Sequence, residues 1–492
     1  MEKTAEEFSE NTRPRRQHAL VICLVAGFMT LLDVSIVNIA LPSMERSLHL
    51  SPADVSWAVA GYALTFGLTL VPAGRLGDEY GRRKLFLIGL SLFAITGVLC
   101  GAAPNATVLV IGRLCRGVAA GLLAPQVIGL MQQMYTGPRR GKAFGYYGAT
   151  VGLSTAIGPM LGGVILQAFG VAEGWRYVFY LSVPIVLITI AFGYRVLPAD
   201  RRGREPHRID YVGALLLGLG VLTIMLPLMQ ATGAKAHPRL WLFAVGAAWL
   251  VLFRFWERRL DSRGGYPLVN LKLLTVRSYV VGAMIAAAFY SGFTSIFLVI
   301  TMFFQQGLKY SALEAALSTL IFTVASAGSA IISGRMVHRT GRRTVVIGSA
   351  VATLGLTVVA LVAHGWTGPD TALVLAPPLL VAGCGCGFVI SANQTLTLHE
   401  ITRANAGVAA GVYETGQRIG TALGTALASA LFFGALAQTH GNYHVAVGLG
   451  LASPAVLVGL AFLISLVDFL RPVRRSATAV NIEVEVGVGV AR

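Results

Sequence analysis

Ten residues occur twice in related form. The chain runs Gly-Arg-Leu-Gly-Asp-Glu-Tyr-Gly-Arg-Arg from Gly74 to Arg83 and Gly-Arg-Met-Val-His-Arg-Thr-Gly-Arg-Arg from Gly334 to Arg343, an offset of 260 positions. Two glycines and three arginines recur in register, and each copy lies between long apolar runs. A basic hairpin duplicated between apolar segments implies a chain built as two related helical bundles.

The solvent for those bundles follows from composition. Of 492 residues, 55% are hydrophobic and only 12% charged, with mean hydropathy +0.70, where a soluble protein carries about 25% charged residues. Apolar runs of about 20 residues span a bilayer as helices, and they recur from end to end. We expect fourteen spans, near 19–41, 53–74, 84–103, 106–134, 142–168, 176–197, 210–230, 239–256, 278–304, 312–334, 343–364, 371–397, 405–435 and 445–470. The net charge of +17 does not imply nucleic acid, because nearly all of it lies in alternate loops. With the N-terminus in the cytoplasm, the outer loops hold only Arg46, Arg176, Lys235, Arg239 and Lys309. This asymmetry places the hairpins and both termini inside, and an odd number of spans would break the alternation.

The repeat makes spans 9–14 the counterpart of spans 1–6, with spans 7 and 8 an inserted pair. The expected organisation is a cytoplasmic arm (1–18), a first six-helix bundle (19–197), linkers enclosing the inserted spans (198–277), a second six-helix bundle (278–470) and a cytoplasmic tail (471–492). The arm carries Arg13, Arg15 and Arg16 like a signal peptide, but the apolar run behind it is too long and lacks a good cleavage site, so it reads as an uncleaved first span. Cys23, Cys100, Cys115, Cys384 and Cys386 all fall in apolar runs and read as structural thiols.

Four motifs make the chain similar to drug:proton antiporters of the fourteen-span branch of the major facilitator superfamily, over nearly its whole length. They are Leu32-Asp33-Val34-Ser35-Ile36-Val37-Asn38-Ile39-Ala40-Leu41-Pro42 in span 1, the loop Gly74–Lys84, Arg113-Leu-Cys-Arg116-Gly117 in span 4, and Gly152 to Gly163 with Gly158-Pro159 in span 5. The family usually has Gln where this chain has Arg116. The span 5 motif goes with antiporters and so with export. The resemblance implies an all-α integral membrane protein with the major facilitator fold, two six-helix bundles plus an inserted helix pair. It implies proton-coupled efflux of hydrophobic or cationic drugs across the cytoplasmic membrane by alternating access, acting as a monomer, with the proton gradient as energy source and no cofactor.

A carboxylate inside an apolar span costs several kcal/mol unless paired or protonated. At 1.5 Å per residue, Asp33 lies about 12 Å and Arg113 about 10 Å below the outer membrane face. Their matched depth suggests an ion pair, and we expect Asp33 to be the main proton-coupling carboxylate with Arg113 as its partner, their separation changing in the cycle; a permanent strut is the alternative. Arg116 has no evident partner; it faces an inner cavity or a carboxylate of another span. Glu414 and Arg418, at i and i+4 in span 13, share one helix face. They either neutralise each other or provide a second titratable carboxylate or an anchor for a cationic substrate.

In the hairpin, Gly77 and Gly81 allow a tight turn, and Arg82 and Arg83 suit an inside loop. Asp78 is what the second copy lacks, His338 standing in its place. By resemblance it reaches the start of span 13 near Asn405–Gly407, where a helix N-terminus favours an anion, and latches the inner gate. Together with Gly74 and Gly81, Gly158 and Pro159 are expected to serve conformational change: Gly158 by close packing, Pro159 by deleting a helix hydrogen bond.

A drug cavity is mostly apolar and aromatic with few polar groups. Candidates from the first bundle are Asn38, Trp57, Tyr62, Phe66, Tyr146 and Tyr147. Those from the second are Tyr290, Phe293, Phe297, Asn393, Gln394 and Tyr413. No phosphate-binding Gly-rich loop, zinc spacing or nucleophile–base arrangement stands out, which argues against an enzyme. An exporter or importer of an ordinary metabolite (an amino acid, a sugar, a siderophore) on the same fold stays open.

Overall fold

The structure is a computed structural model that describes residues 2–170, 172–200, 210–230, 239–366, 368 and 370–471. Most of the expected tail (472–492), much of the first linker (201–209) and the loop holding Lys235 lie outside the described residues.

The apolar runs fold as helices: α1 (Glu2–Leu48), α2 (Pro52–Tyr80), α3 (Arg82–Gly101), α4 (Ala106–Met134), α5 (Gly137–Phe169), α6 (Gly174–Tyr180), α7 (Ser182–Val196), α8 (Tyr211–Gln230), α9 (Trp241–Ser262), α10 (Arg277–Met302), α11 (Ala312–Thr340), α12 (Arg342–Gly365), α13 (Thr371–Thr397), α14 (Ala406–Gln438) and α15 (Tyr443–Leu470). Span 6 is made of α6 and α7, which meet at Leu181. Among the described residues thirteen segments are long and apolar enough to cross a membrane. The fourteenth, α9, is 22 residues long but carries Arg254, Glu257, Arg258 and Arg259 in its last turns. The chain is a multi-pass, all-helical membrane protein.

Local signals account for the helix starts. Ser51 caps α2, accepting from the Asp54 N–H while Asp54 accepts from Ser51. Ser311 and Glu314 repeat that box at α11, which satisfies donors that a helix start leaves bare. Each hairpin turns at a glycine of positive φ, Gly81 at 107° and Gly341 at 53°, where a side chain would be strained.

α1–α7 and α10–α15 form the two halves of the repeat, and α8 packs with α9 beside α2 and α14. The linkers bind the inserted pair by side chains. Asp210 accepts from Gly213 N–H and from the Trp256 indole at 2.9 Å, and Glu257 accepts from the N–H groups of Leu268 and Val269, both at 3.2 Å.

The bundles meet where α5 lies on α11 and α2 on α14. A β-carbon at Gly141 would strike the Gly334 carbonyl, and one at Gly74 the Gly407 carbonyl. These glycines let backbones touch, the usual device for helix association in lipid. All four lie toward the end of the molecule that carries the two hairpins, so the bundles are shut on the hairpin face.

Cys23, Cys100 and Cys386 are buried, Cys115 and Cys384 half-buried, and all five are free.

Candidate functional site

Three groups of polar side chains interrupt the apolar interior. The first joins α1 to α4. The Asp33 carboxylate, 4% exposed, receives Arg113 Nη1 on Oδ2 and Arg116 Nε on Oδ1, both at 2.7 Å. Arg116 is therefore the carboxylate's second partner. The expected pair is a triad, and with Asp33 ionised its formal charge is +1. Further donors are also placed: Arg113 Nε on the Ala58 carbonyl (2.8 Å), Arg116 on the Phe93 carbonyl (2.9 Å) and the Ser182 hydroxyl (2.9 Å). Arg113 lies over the Tyr62 ring and Arg116 over the Phe93 ring, 4.3 and 3.9 Å from the centroids. Buried charges are tolerated when paired and fully hydrogen-bonded, and here the triad ties α1, α2, α3, α4 and α7 together. Tyr62, expected in a cavity wall, is fully buried in this cluster and donates to the Thr30 carbonyl.

The second group sits at the seam between bundles. Glu414 of α14, 5% exposed, shares a hydrogen bond with Tyr147 of α5. Its Oε2 has no hydrogen-bond partner among the described residues. Arg418, one turn on, makes no ion pair with it; its guanidinium lies over the Phe66 ring at 4.3 Å. The i, i+4 spacing thus puts both on one side of α14 without joining them. Tyr290 and Tyr413 lie within electrostatic reach of Tyr147, as do Glu414 and Arg418. Asn393 donates to the Gly282 carbonyl at 2.8 Å and approaches the Tyr413 hydroxyl at 3.4 Å. Phe289, Tyr290, Phe293 and Phe297 pack ring to ring along α10, Phe293 and Phe297 also against Phe322 of α11. Gln394 is buried, whereas Asn38 is exposed, Trp57 is 46% and Tyr146 39% exposed.

The third group is the hairpin. Asp78 accepts from the N–H groups of Gly407 and Val408, both at 3.0 Å, at the first turn of α14. Arg82 donates to Asp78 (2.7 Å), to the Gly129 carbonyl (3.2 Å) and to the Arg403 carbonyl. Arg83 turns the other way, onto the Tyr194 carbonyl and ring. Gly158 lies against Ser35 of α1, whose hydroxyl donates to the Ser154 carbonyl at 3.0 Å. Pro159 sits within an unbroken α5.

Two acidic residues escaped sequence reasoning. Asp200 accepts from the N–H groups of Arg83 and Lys84. Asp468 receives Arg277 and Arg342 at 2.9 and 2.7 Å. Both stand at the ends of the sixth helices, isolated acids in arginine-rich surroundings, and that isolation was the only signal.

Two bundles with paired hairpins, a seam of touching glycines and buried charges define a membrane transporter rather than an enzyme. Residues 23–425 match the profile of the Major Facilitator Superfamily, and the chain belongs to that family. It is 34% identical to the "Probable actinorhodin transporter" of Streptomyces coelicolor, over 86% of this chain and 74% of that protein. It is 32% identical to the puromycin resistance protein pur8 of Streptomyces alboniger, over 83% and 80%, and 26% identical to the riboflavin transporter RibZ of Clostridioides difficile, over 80% and 84%. Solved structures share the fold. The human organic anion transporter MFSD10 superposes with TM-score 0.66 at 13% identity, covering 92% of this chain and 99% of that one. The proton:xylose symporter XylE superposes with TM-score 0.65 at 16% identity, covering 94% and 97%.

Proposed function

We propose that this transporter is a proton-coupled exporter of a hydrophobic or cationic antibiotic, working in the cytoplasmic membrane as a monomer with both termini and the hairpin face inside. The relatives named for actinorhodin and for puromycin resistance support the substrate class. The single observation that carries the mechanism is Glu414. It is a buried carboxyl at the seam of the bundles, with one oxygen free and aromatic rings around it. An acidic group in such a place binds a proton or a cationic drug, and the two compete. Both oxygens of Asp33 are taken by guanidinium groups, so of the two intramembrane carboxyls Glu414 is the one with room for a ligand. In this reading the Asp33–Arg113–Arg116 triad transmits movement among the helices of the first bundle, and Arg418 sets the charge that Glu414 feels.

Alternating access follows from the latch. With Asp78 on α14 the inner side is shut and the outer side receives a proton. Releasing the latch exposes Glu414 inward, where a drug takes the proton's place. One pH unit supplies about 1.4 kcal/mol per proton and 100 mV about 2.3 kcal/mol per charge moved.

The test is drug-driven proton release from purified protein in proteoliposomes, with a resistance profile in a pump-deficient host. Glu414→Gln is expected to abolish release at least tenfold below the unsubstituted protein while the protein still inserts. Full release in Glu414→Gln moves the coupling to Asp33. Similarity to RibZ keeps a metabolite reading in view, and transport of riboflavin without any drug resistance would favour it.

A further inference from the structure

We propose that Asp200 is a positioning residue of the inner gate: it holds the first turn of α3 so that the side chain of Arg82 is free to brace Asp78 against the second bundle. The proposal rests on the reading of Asp78 as the gate latch.

Asp200 lies just beyond α7, where the chain leaves the first bundle. Its Oδ1 accepts from Arg83 N–H at 3.0 Å and its Oδ2 from Lys84 N–H at 3.1 Å. Both donors belong to the first turn of α3, whose N–H groups have no partner within the helix and whose dipole favours an anion. The carboxylate fits because residue 81 is glycine: a β-carbon there would collide with the Asp200 carboxyl. Gly81 therefore serves two ends, its φ of 107° and the approach of Asp200.

The second bundle shows what Asp200 changes. Arg342 opens α12 after Gly341 as Arg82 opens α3 after Gly81. The sixth helix of each bundle is anchored in the same way to the start of the first: Arg15 donates to the Arg195 carbonyl at 3.2 Å, and Arg277 to the Asp468 carbonyl at 3.2 Å. The acids at the ends of the sixth helices then differ. Asp468 takes the side chain of Arg342 at 2.7 Å, which points that arginine into its own bundle. Asp200 instead takes backbone N–H groups. Arg82 keeps its guanidinium for Asp78, the Gly129 carbonyl and the Arg403 carbonyl across the seam. The resulting relay runs from Asp200 to the α3 backbone, through Arg82 to Asp78, and on to the start of α14. Two carboxylates occupy two helix starts, and one arginine connects them.

The experiment uses the full chain in lipid nanodiscs, with spin labels at Arg139→Cys on α5 and Met336→Cys on α11 in a background with Cys115 and Cys384 replaced. Pulsed distance measurement reads the fraction of molecules open on the hairpin face, and transport is measured in parallel. Asp200→Ala is expected to raise the open fraction at least threefold, as is Asp78→Asn. Asp200→Asn, which keeps the shape and one acceptor, is expected to fall between, and it serves if the alanine variant misfolds. An unchanged open fraction in both Asp200 variants, with Asp78→Asn shifted, overturns the proposal and leaves the latch standing. An unchanged fraction in Asp78→Asn sinks the latch reading itself and the relay with it.

Discussion

Arg116 changes what Asp33 is. A carboxylate with one guanidinium is a neutral pair. With two, each oxygen receives a guanidinium at 2.7 Å, and the surplus cation is sustained by the Phe93 carbonyl and ring and by Ser182. Breaking a buried ion pair from one side costs about 3–5 kcal/mol because a charge is left uncompensated. The two sides of this triad are unequal. Asp33→Ala strands two guanidinium groups, whereas Arg116→Gln leaves the Asp33–Arg113 pair whole. The thermal midpoint of detergent-solubilised protein is therefore expected to fall much further in Asp33→Ala than in Arg116→Gln. Equal losses would mean that the triad does not act as a unit. The sequence made Asp33 and Arg113 visible through depth alone. It could not assign Arg116, because an i+3 neighbour points about 60° away around the helix and only the packing of α3 and α7 brings it back to Asp33. Glu414 and Arg418 illustrate the converse: shared face was legible, but Tyr147 and Phe66, which actually hold them, come from the other bundle.

At the scale of elements, the seam is made of glycine contacts on the hairpin face. α5 and α11 approach through Gly141, Gly145 and Gly334, and α2 and α14 through Gly74 and Gly407. Gly334 is one of the repeated positions, so the repeat that first marked the fold also marks the closing surface. A side chain at Gly334 meets the Gly141 carbonyl and the Gly145 backbone, and backbone cannot yield as a long side chain can. Gly334→Leu is expected to hold the hairpin face open and stop turnover while leaving α11 itself helical. Cross-linking of cysteines on α5 and α11 checks this, and undiminished cross-linking would refute it. Helix boundaries were legible from hydropathy because each span had to satisfy its backbone within itself. The exception was the division of span 6 at Leu181, which hydropathy does not register. α9 sits at the other limit: its charged last turns place it outside the thirteen segments that composition alone identifies, and its place in the fold comes from packing on α8.

The whole molecule is a pair of bundles with a shared plan and different fastenings at the hairpin face. The shared plan was legible, since it rests on a repeat and on hydropathy. The different fastenings were not, since Asp200 and Asp468 act on residues 117 and 126 positions away and no local pattern reports such a contact. The orientation proposed from the arginine-rich loops is directly checkable. Reporter fusions after Arg475 and within residues 198–208 should both report cytoplasm. An external signal at either site would sink the proposed topology.

The formal charge of the Asp33 triad has an electrical meaning. Two arginines and one aspartate, of formal net charge +1, are fixed to helices that lie across the bilayer, so any rocking of the first bundle that shifts the triad along the membrane normal would carry charge through part of the field. At about 2.3 kcal/mol per full charge per 100 mV, a shift through a fifth of the field is worth about 0.5 kcal/mol. Under the proposed cycle, the resting potential would then bias which way the empty carrier faces.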